Sequence, residues 1–128
     1  MQIRAICILG VLCAASGAYA QEFQCDITQK YMCEVDGCKP YDPPQRNRID
    51  LKKGTYIRCS GDYCTNYQAR ISRSGVFIVI EVPGQSAMAR IADNIAEAAG
   101  FKPGSFHEVI VEFQTVFLSY GSCKRLSE

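Results

Sequence analysis

The sequence predicts a mainly β protein, about seven or eight short antiparallel strands in a small disulfide-stapled barrel or sandwich. Three observations predict it. Runs of β-branched and aromatic residues alternate with polar ones at period 2, as half-buried strands require. Gly, Pro and Asp turn signals recur at roughly 8–12-residue intervals. Six of the eight cysteines fall after residue 20, an even number that reads as a disulfide framework in a small exported domain.

Residues 1–20 are expected to be a signal peptide. Arg4 supplies the positive start, Ile6–Ala15 the apolar run, and Ala18-Tyr19-Ala20 an A-x-A cleavage site before Gln21. The run is too short for a stop-transfer helix. Cys13 would suit a lipoprotein signal, but Leu12 precedes it where such signals want a small residue. Residues 21–128 are then a single β domain, secreted or periplasmic, able to bury about 65% of its unfolded surface. Once Arg4 is set aside, the remaining basic residues equal the 13 acidic ones. That balance offers no basic excess for nucleic acid or anionic lipid, and no membrane span is expected in the mature chain.

Phe23, Cys25 and Ile27, then Tyr31, Cys33 and Val35, are period-2 positions of one or two opening strands, and Asp36-Gly37 turns the chain back to Cys38. Pro40, Pro43 and Pro44 make Lys39–Gln45 an irregular surface loop. Asn47–Leu51 is a short strand, and Lys52-Lys53-Gly54 turns it into the longest strand-like stretch. There, Thr55–Ser60, Thr65–Ser72 and Val76–Val82 read as a three-stranded meander with turns at Ser60-Gly61-Asp62 and Ser72–Gly75. Pro83-Gly84 breaks the sheet. Ser86–Gly100 admits two readings. One is a helix with Met88, Ile91, Ile95 and Ala98 on one face; the other is a strand at Ala87–Ala92 followed by a loop or one helical turn. Phe106–Phe113 and Val116–Ser122 form a closing hairpin about Gln114-Thr115.

The turns favour a local disulfide pattern. Cys33 and Cys38 flank Asp36-Gly37, Cys59 and Cys64 flank Gly61-Asp62, and Cys25 and Cys123 lie in the first and last strands, neighbours in a closed sheet. A crossed pattern, Cys33–Cys59 with Cys38–Cys64, stays open at this level. So does a Cys₄ zinc site, although zinc spacing is usually tighter and an oxidising compartment competes for the thiols.

The elements Phe23–Cys25, Lys30–Cys38, Ile49–Cys59, Ser72–Gly75, Val82–Gly84 and Ser119–Cys123 resemble a family of small uncharacterised exported bacterial six-cysteine β proteins. That resemblance implies the fold and carries no activity. A weaker likeness is to the bacterial inhibitors of c-type lysozyme, whose Ser-Gly motif is followed by a basic residue and an aromatic. Here Ser74-Gly75 is followed by Val76-Phe77, so the basic residue is missing.

Chemistry is sparse. His107 is the sole histidine, on the Val109/Val111/Phe113 face of its strand, with no nucleophile motif to serve. Glu108 and Glu112, opposite that face with Ile110, read as residues of an exposed strand face, and Glu81 lies in a strand. No metal ligand set, phosphate loop or G-x-S-x-G appears, so no catalytic residue, metal or cofactor is assigned. Most aromatics are expected in the core. Tyr41 in the proline loop and Tyr63 in the Cys59–Cys64 turn are expected at the surface, as candidate contacts for an exported protein or envelope component. The expected function is a non-enzymatic binding or inhibitory module presenting disulfide-pinned loops. The alternative is a small-ligand carrier or envelope enzyme with a pocket in the β core.

Overall fold

The computed structural model describes residues 21–41 and 45–126. The expected signal peptide, and Pro43 and Pro44 of the expected loop, lie outside these. Ten strands are found among the described residues: β1 (Glu22–Glu34), β2 (Gly37–Pro40), β3 (Gln45–Asp50), β4 (Thr55–Ser60), β5 (Tyr63–Gln68), β6 (Arg70–Ser74), β7 (Phe77–Val82), β8 (Ala87–Ala92), β9 (Ser105–Glu112) and β10 (Thr115–Arg125). The mainly β prediction holds, with ten strands where seven or eight are expected, and with the first and last, of 13 and 11 residues, longer than expected.

All ten belong to one antiparallel sheet in the order β5-β4-β3-β1-β10-β9-β8-β7-β6, with β2 paired to β1 off this path. The two edge strands, β5 and β6, are consecutive in the chain and separated only by Ala69. The sheet therefore curls until its edges meet, and Ala69 N–H donates to Gly54 O at 2.8 Å at that corner. This corrects the expected meander. Thr65–Ser72 alternates as one strand, yet its halves pair with β4 and β7 at opposite ends of the path, never with each other. The barrel is thus nearly closed: β5 and β6 adjoin at Ala69 but form no ladder with each other.

β1 is the hub, paired with β2, β3 and β10. Its alternation turns Phe23, Cys25 and Ile27 inward, where they meet Ile49, Tyr56, Ile78, Ile80, Ile91 and Phe106 in the core. Burial of each such side chain contributes about 1.5–3 kcal/mol. Between Ile27 and Gln29 the β1–β10 register shifts by a bulge, and Gly121 stands opposite Ile27. A Cβ on Gly121 would lie 2.1 Å from the Asp26 carbonyl oxygen, so the two backbones approach this closely only over glycine.

The second reading of residues 86–100 is the one realised. β8 alternates Ala87, Ala89 and Ile91 inward, and a 3₁₀ helix follows over Asn94–Ala99. Asp93 caps that helix by accepting from Asn94 N–H at 2.7 Å, and Gly100 ends it at φ 86°. Pairing on both sides, with β7 and β9, outweighs the helical spacing of Met88 and Ile95, which are both exposed.

Three disulfides join residues directly opposite in register: Cys25–Cys123 across β1–β10, Cys33–Cys38 across β1–β2 and Cys59–Cys64 across β4–β5. The local pattern is present and the crossed one is not. With all four sulfurs of the hairpin pairs oxidised, none is a thiolate for zinc.

Candidate functional site

Three places gather chemistry or exposed apolar surface, and the first lies inside the barrel. Inward positions of β3, β4 and β9 place Asn47, Tyr56, Arg58 and Glu108 together although 50 residues separate Arg58 from Glu108. Asn47 Nδ2 donates to the Tyr56 hydroxyl at 2.7 Å, Tyr56 donates to Glu108 Oε2 at 2.5 Å, and an Arg58 guanidinium nitrogen donates to the same oxygen at 2.7 Å. The chain continues outward through Gln45, which donates to Asn47 Oδ1 at 2.8 Å and accepts from Lys30 Nζ at 2.7 Å. The Arg58 guanidinium also lies 5.0 Å from the Tyr56 ring centroid and 5.1 Å from that of Tyr67, a cation–π contact with each.

Glu108 is only 2% exposed, which corrects its reading as a surface carboxylate. The strand faces inward through Phe106, Glu108 and Ile110, and outward through His107, Val109 and Val111. Phe106 and Ile110, two residues either side of Glu108, were the signal for this. The sequence does not display the partner that makes this burial possible, Arg58, which lies 50 residues away. Burial, then the neighbouring Glu108 carboxylate, raises the Tyr56 phenol well above its usual range. Burial works against the Arg58 charge, but Glu108 more than offsets it, and the guanidinium is held firmly protonated.

The second place is the outer face of β6–β10. An open groove of about 1040 Å³ runs there, with Met88, Val109, Val111 and Leu118 on its floor and Arg70 and Arg90 at its sides. His107 stands on its wall, edge-on to Tyr120 at 5.3 Å between ring centroids, with Arg90 directly opposite on β8. Burial, and then the Arg90 charge, lowers the His107 pKa. His107 is thus neither a core residue nor paired with a nucleophile in any contact of the described residues.

The third place is the end of the barrel where β1, β4 and β9 terminate. Tyr63, at the tip of the β4–β5 hairpin, is 77% exposed, as expected. Tyr41 is half covered: its ring packs on Phe117 at 5.6 Å, and the Lys30 ammonium lies 5.0 Å from its centroid. Two further apolar side chains project here, where alternation places them in strands. Val35, in the turn of the Cys33–Cys38 hairpin, is 94% exposed, and Phe113 is wholly exposed. The β9–β10 turn is Phe113-Gln114, one residue earlier than expected, so Phe113 leaves its strand instead of packing in the core. Among the described residues no group of three or more His, Cys, Asp or Glu side chains could hold a metal.

Comparison of the chain with protein-family models, curated proteins and solved structures gives no match.

Proposed function

We propose that this is a non-enzymatic exported binding or inhibitory module that recognises another exported protein or envelope component through disulfide-pinned hairpins. The observation that carries this reading is the pair of stapled hairpins at one end of the barrel. Cys33–Cys38 and Cys59–Cys64 each close an exposed turn, and each turn holds an apolar side chain, Val35 or Tyr63, out in solvent. Rigid apolar tips lose little conformational entropy on binding, which is the physical use of such staples. Three disulfides suit an oxidising compartment. The carboxylate, phenol and guanidinium capable of acid–base chemistry are engaged with each other inside the barrel, and that too favours binding over turnover.

The test is capture from the exported fraction of the producing cells with the oxidised protein as bait. A partner retained by the wild type and lost with Tyr63→Ser and Val35→Ser is expected. Equal retention by the folded variants would refute the reading. The carrier alternative draws support from the outer groove with His107 on its wall. Titration with anilinonaphthalene sulfonate would favour it if one site saturates and Val109→Glu abolishes it.

A further inference from the structure

We propose that two copies of this chain join their sheets edge to edge along β5, antiparallel about a two-fold axis that passes through Asn66. The inference goes beyond the hairpin-recognition reading and does not rest on it, since it uses the backbone of β5 and neither the Val35 nor the Tyr63 side chain.

It starts from the strand edges that the nearly closed barrel leaves. Among the described residues β5 pairs with β4 alone, β6 with β7 alone and β2 with β1 alone. An unpaired edge templates the addition of another strand, and proteins blunt such edges with proline and charged side chains. β2 carries Lys39 and Pro40, and β6 carries Arg70 and Arg73. β5, which reads Tyr-Cys-Thr-Asn-Tyr-Gln, has neither a charge nor a proline. Its edge is left open.

The ladder decides which backbone groups face outward. Cys59 and Cys64 are direct partners across β4–β5, with Cα atoms 4.1 Å apart. That is closer to the about 4.5 Å of a non-hydrogen-bonded pair than to the about 5.5 Å of a bonded one. Ala69 agrees at the far end, its N–H donating to Gly54 O on the β4 side. Tyr63, Thr65 and Tyr67 therefore turn their N–H and C=O groups to β4, and Cys64, Asn66 and Gln68 turn theirs away from it. No turn or loop bond among the described residues reaches those three, and all three are exposed. On β2 the same alternation, with Cys33 and Cys38 Cα atoms 3.9 Å apart, turns Cys38 and Pro40 outward, and Pro40 has no N–H to offer.

The complement of such a row of N–H and C=O groups is an extended strand, and β5 of a second copy fits it. Laid antiparallel about Asn66, the second strand sets Cys64 opposite Gln68, Asn66 opposite Asn66 and Gln68 opposite Cys64. Each pair then exchanges both of its N–H···O=C bonds. Between them Thr65 stands opposite Tyr67, the pairing of β-branched with aromatic side chains that stabilises sheets. The Asn66 side chains meet on the axis, where an amide donor faces an amide acceptor. No like charges come opposite one another, because the strand holds no charge. The contact is self-complementary, so it closes at two copies.

Sedimentation equilibrium of the exported, oxidised protein, with amide hydrogen exchange followed by NMR on the same samples, decides it. We expect a monomer–dimer equilibrium that stops at the dimer, with the Cys64, Asn66 and Gln68 amides exchanging more slowly as the dimer fills. Asn66→Pro removes an N–H that β4 does not use, at an edge position where proline is tolerated, and should weaken the dimer by about tenfold in Kd. Asn66→Lys and Asn66→Glu keep every backbone group and serve if Asn66→Pro fails to fold. Each alone should be monomeric where the wild type is dimeric, since like charges then stand opposite on the axis, and their equimolar mixture should form a heterodimer. Monomer at all concentrations, which leaves the edge to a strand of some other protein, would overturn the proposal. So would a dimer indifferent to a folded Asn66→Pro variant, a dimer in which the three amides gain no protection, or an Asn66→Lys and Asn66→Glu mixture that stays monomeric.

Discussion

Glu108 is the residue on which the interior depends. Its carboxylate is buried and accepts from both Tyr56 and Arg58, so removing one partner leaves a charge in the core without compensation. Arg58→Met is expected to cost about 3–5 kcal/mol of unfolding free energy in urea titration. Arg58→Met combined with Glu108→Gln should recover at least half, because Gln still accepts from Tyr56 and carries no charge. A double variant no more stable than the single one would show that packing, not the ion pair, governs the site. His107 sets a pH dependence. Its folded pKa lies below the usual 6.5, so the unfolded chain binds its proton more readily. This contribution is complete above about pH 6.5 and is lost as pH falls through the folded pKa. Thermal unfolding at pH 7.5 and pH 5 should show a drop that is smaller in His107→Phe, where the titrating group is gone.

At the scale of elements, the β1–β10 pair carries the longest ladder and the tightest backbone approach. Gly121→Ala would drive a Cβ into the Asp26 carbonyl across the bulge, where neither backbone can retreat without breaking the ladder. A loss of about 1–3 kcal/mol is expected, as for other overpacked sites, read as a lower urea midpoint with unchanged slope. Gly75→Ala at a turn where the added Cβ meets nothing within 4 Å gives the comparison. It retains only the cost of a positive φ. Equal losses at the two glycines would mean that backbone conformation, and not the close approach, is what Gly121 provides.

For the whole molecule, the three disulfides do unequal work. Cys25–Cys123 spans 98 positions and fastens the first strand to the last, while Cys33–Cys38 and Cys59–Cys64 span 5 each. Chain entropy assigns the long loop about 4.7 kcal/mol and each short one about 2 kcal/mol. Cys25→Ala with Cys123→Ala should therefore lower the urea midpoint at least twice as far as Cys33→Ala with Cys38→Ala. Comparable midpoints for the two double variants would show that the hub strands hold together without their staple.

Local chemistry made much of this legible. Alternation puts Tyr56 and Arg58 on one face of Thr55–Ser60 and separates Tyr67, Ala69 and Ile71 from Asn66, Gln68 and Arg70, and the turns at Asp36-Gly37 and Gly61-Asp62 place each cysteine opposite its partner. Those features depend on residues two to five positions apart, which a sequence displays directly. The rest depends on distant partners. Ala69 looks like the middle of one strand until its halves pair at opposite ends of the sheet. Residues 86–100 carry helical spacing that only β7 and β9 on either side override. Glu108 reads as a surface carboxylate until Arg58 arrives across the barrel, and Phe113 reads as core until a two-residue turn claims it. Period 2 assigns residues to two faces, but which face is inside is decided by what the closed sheet brings against it.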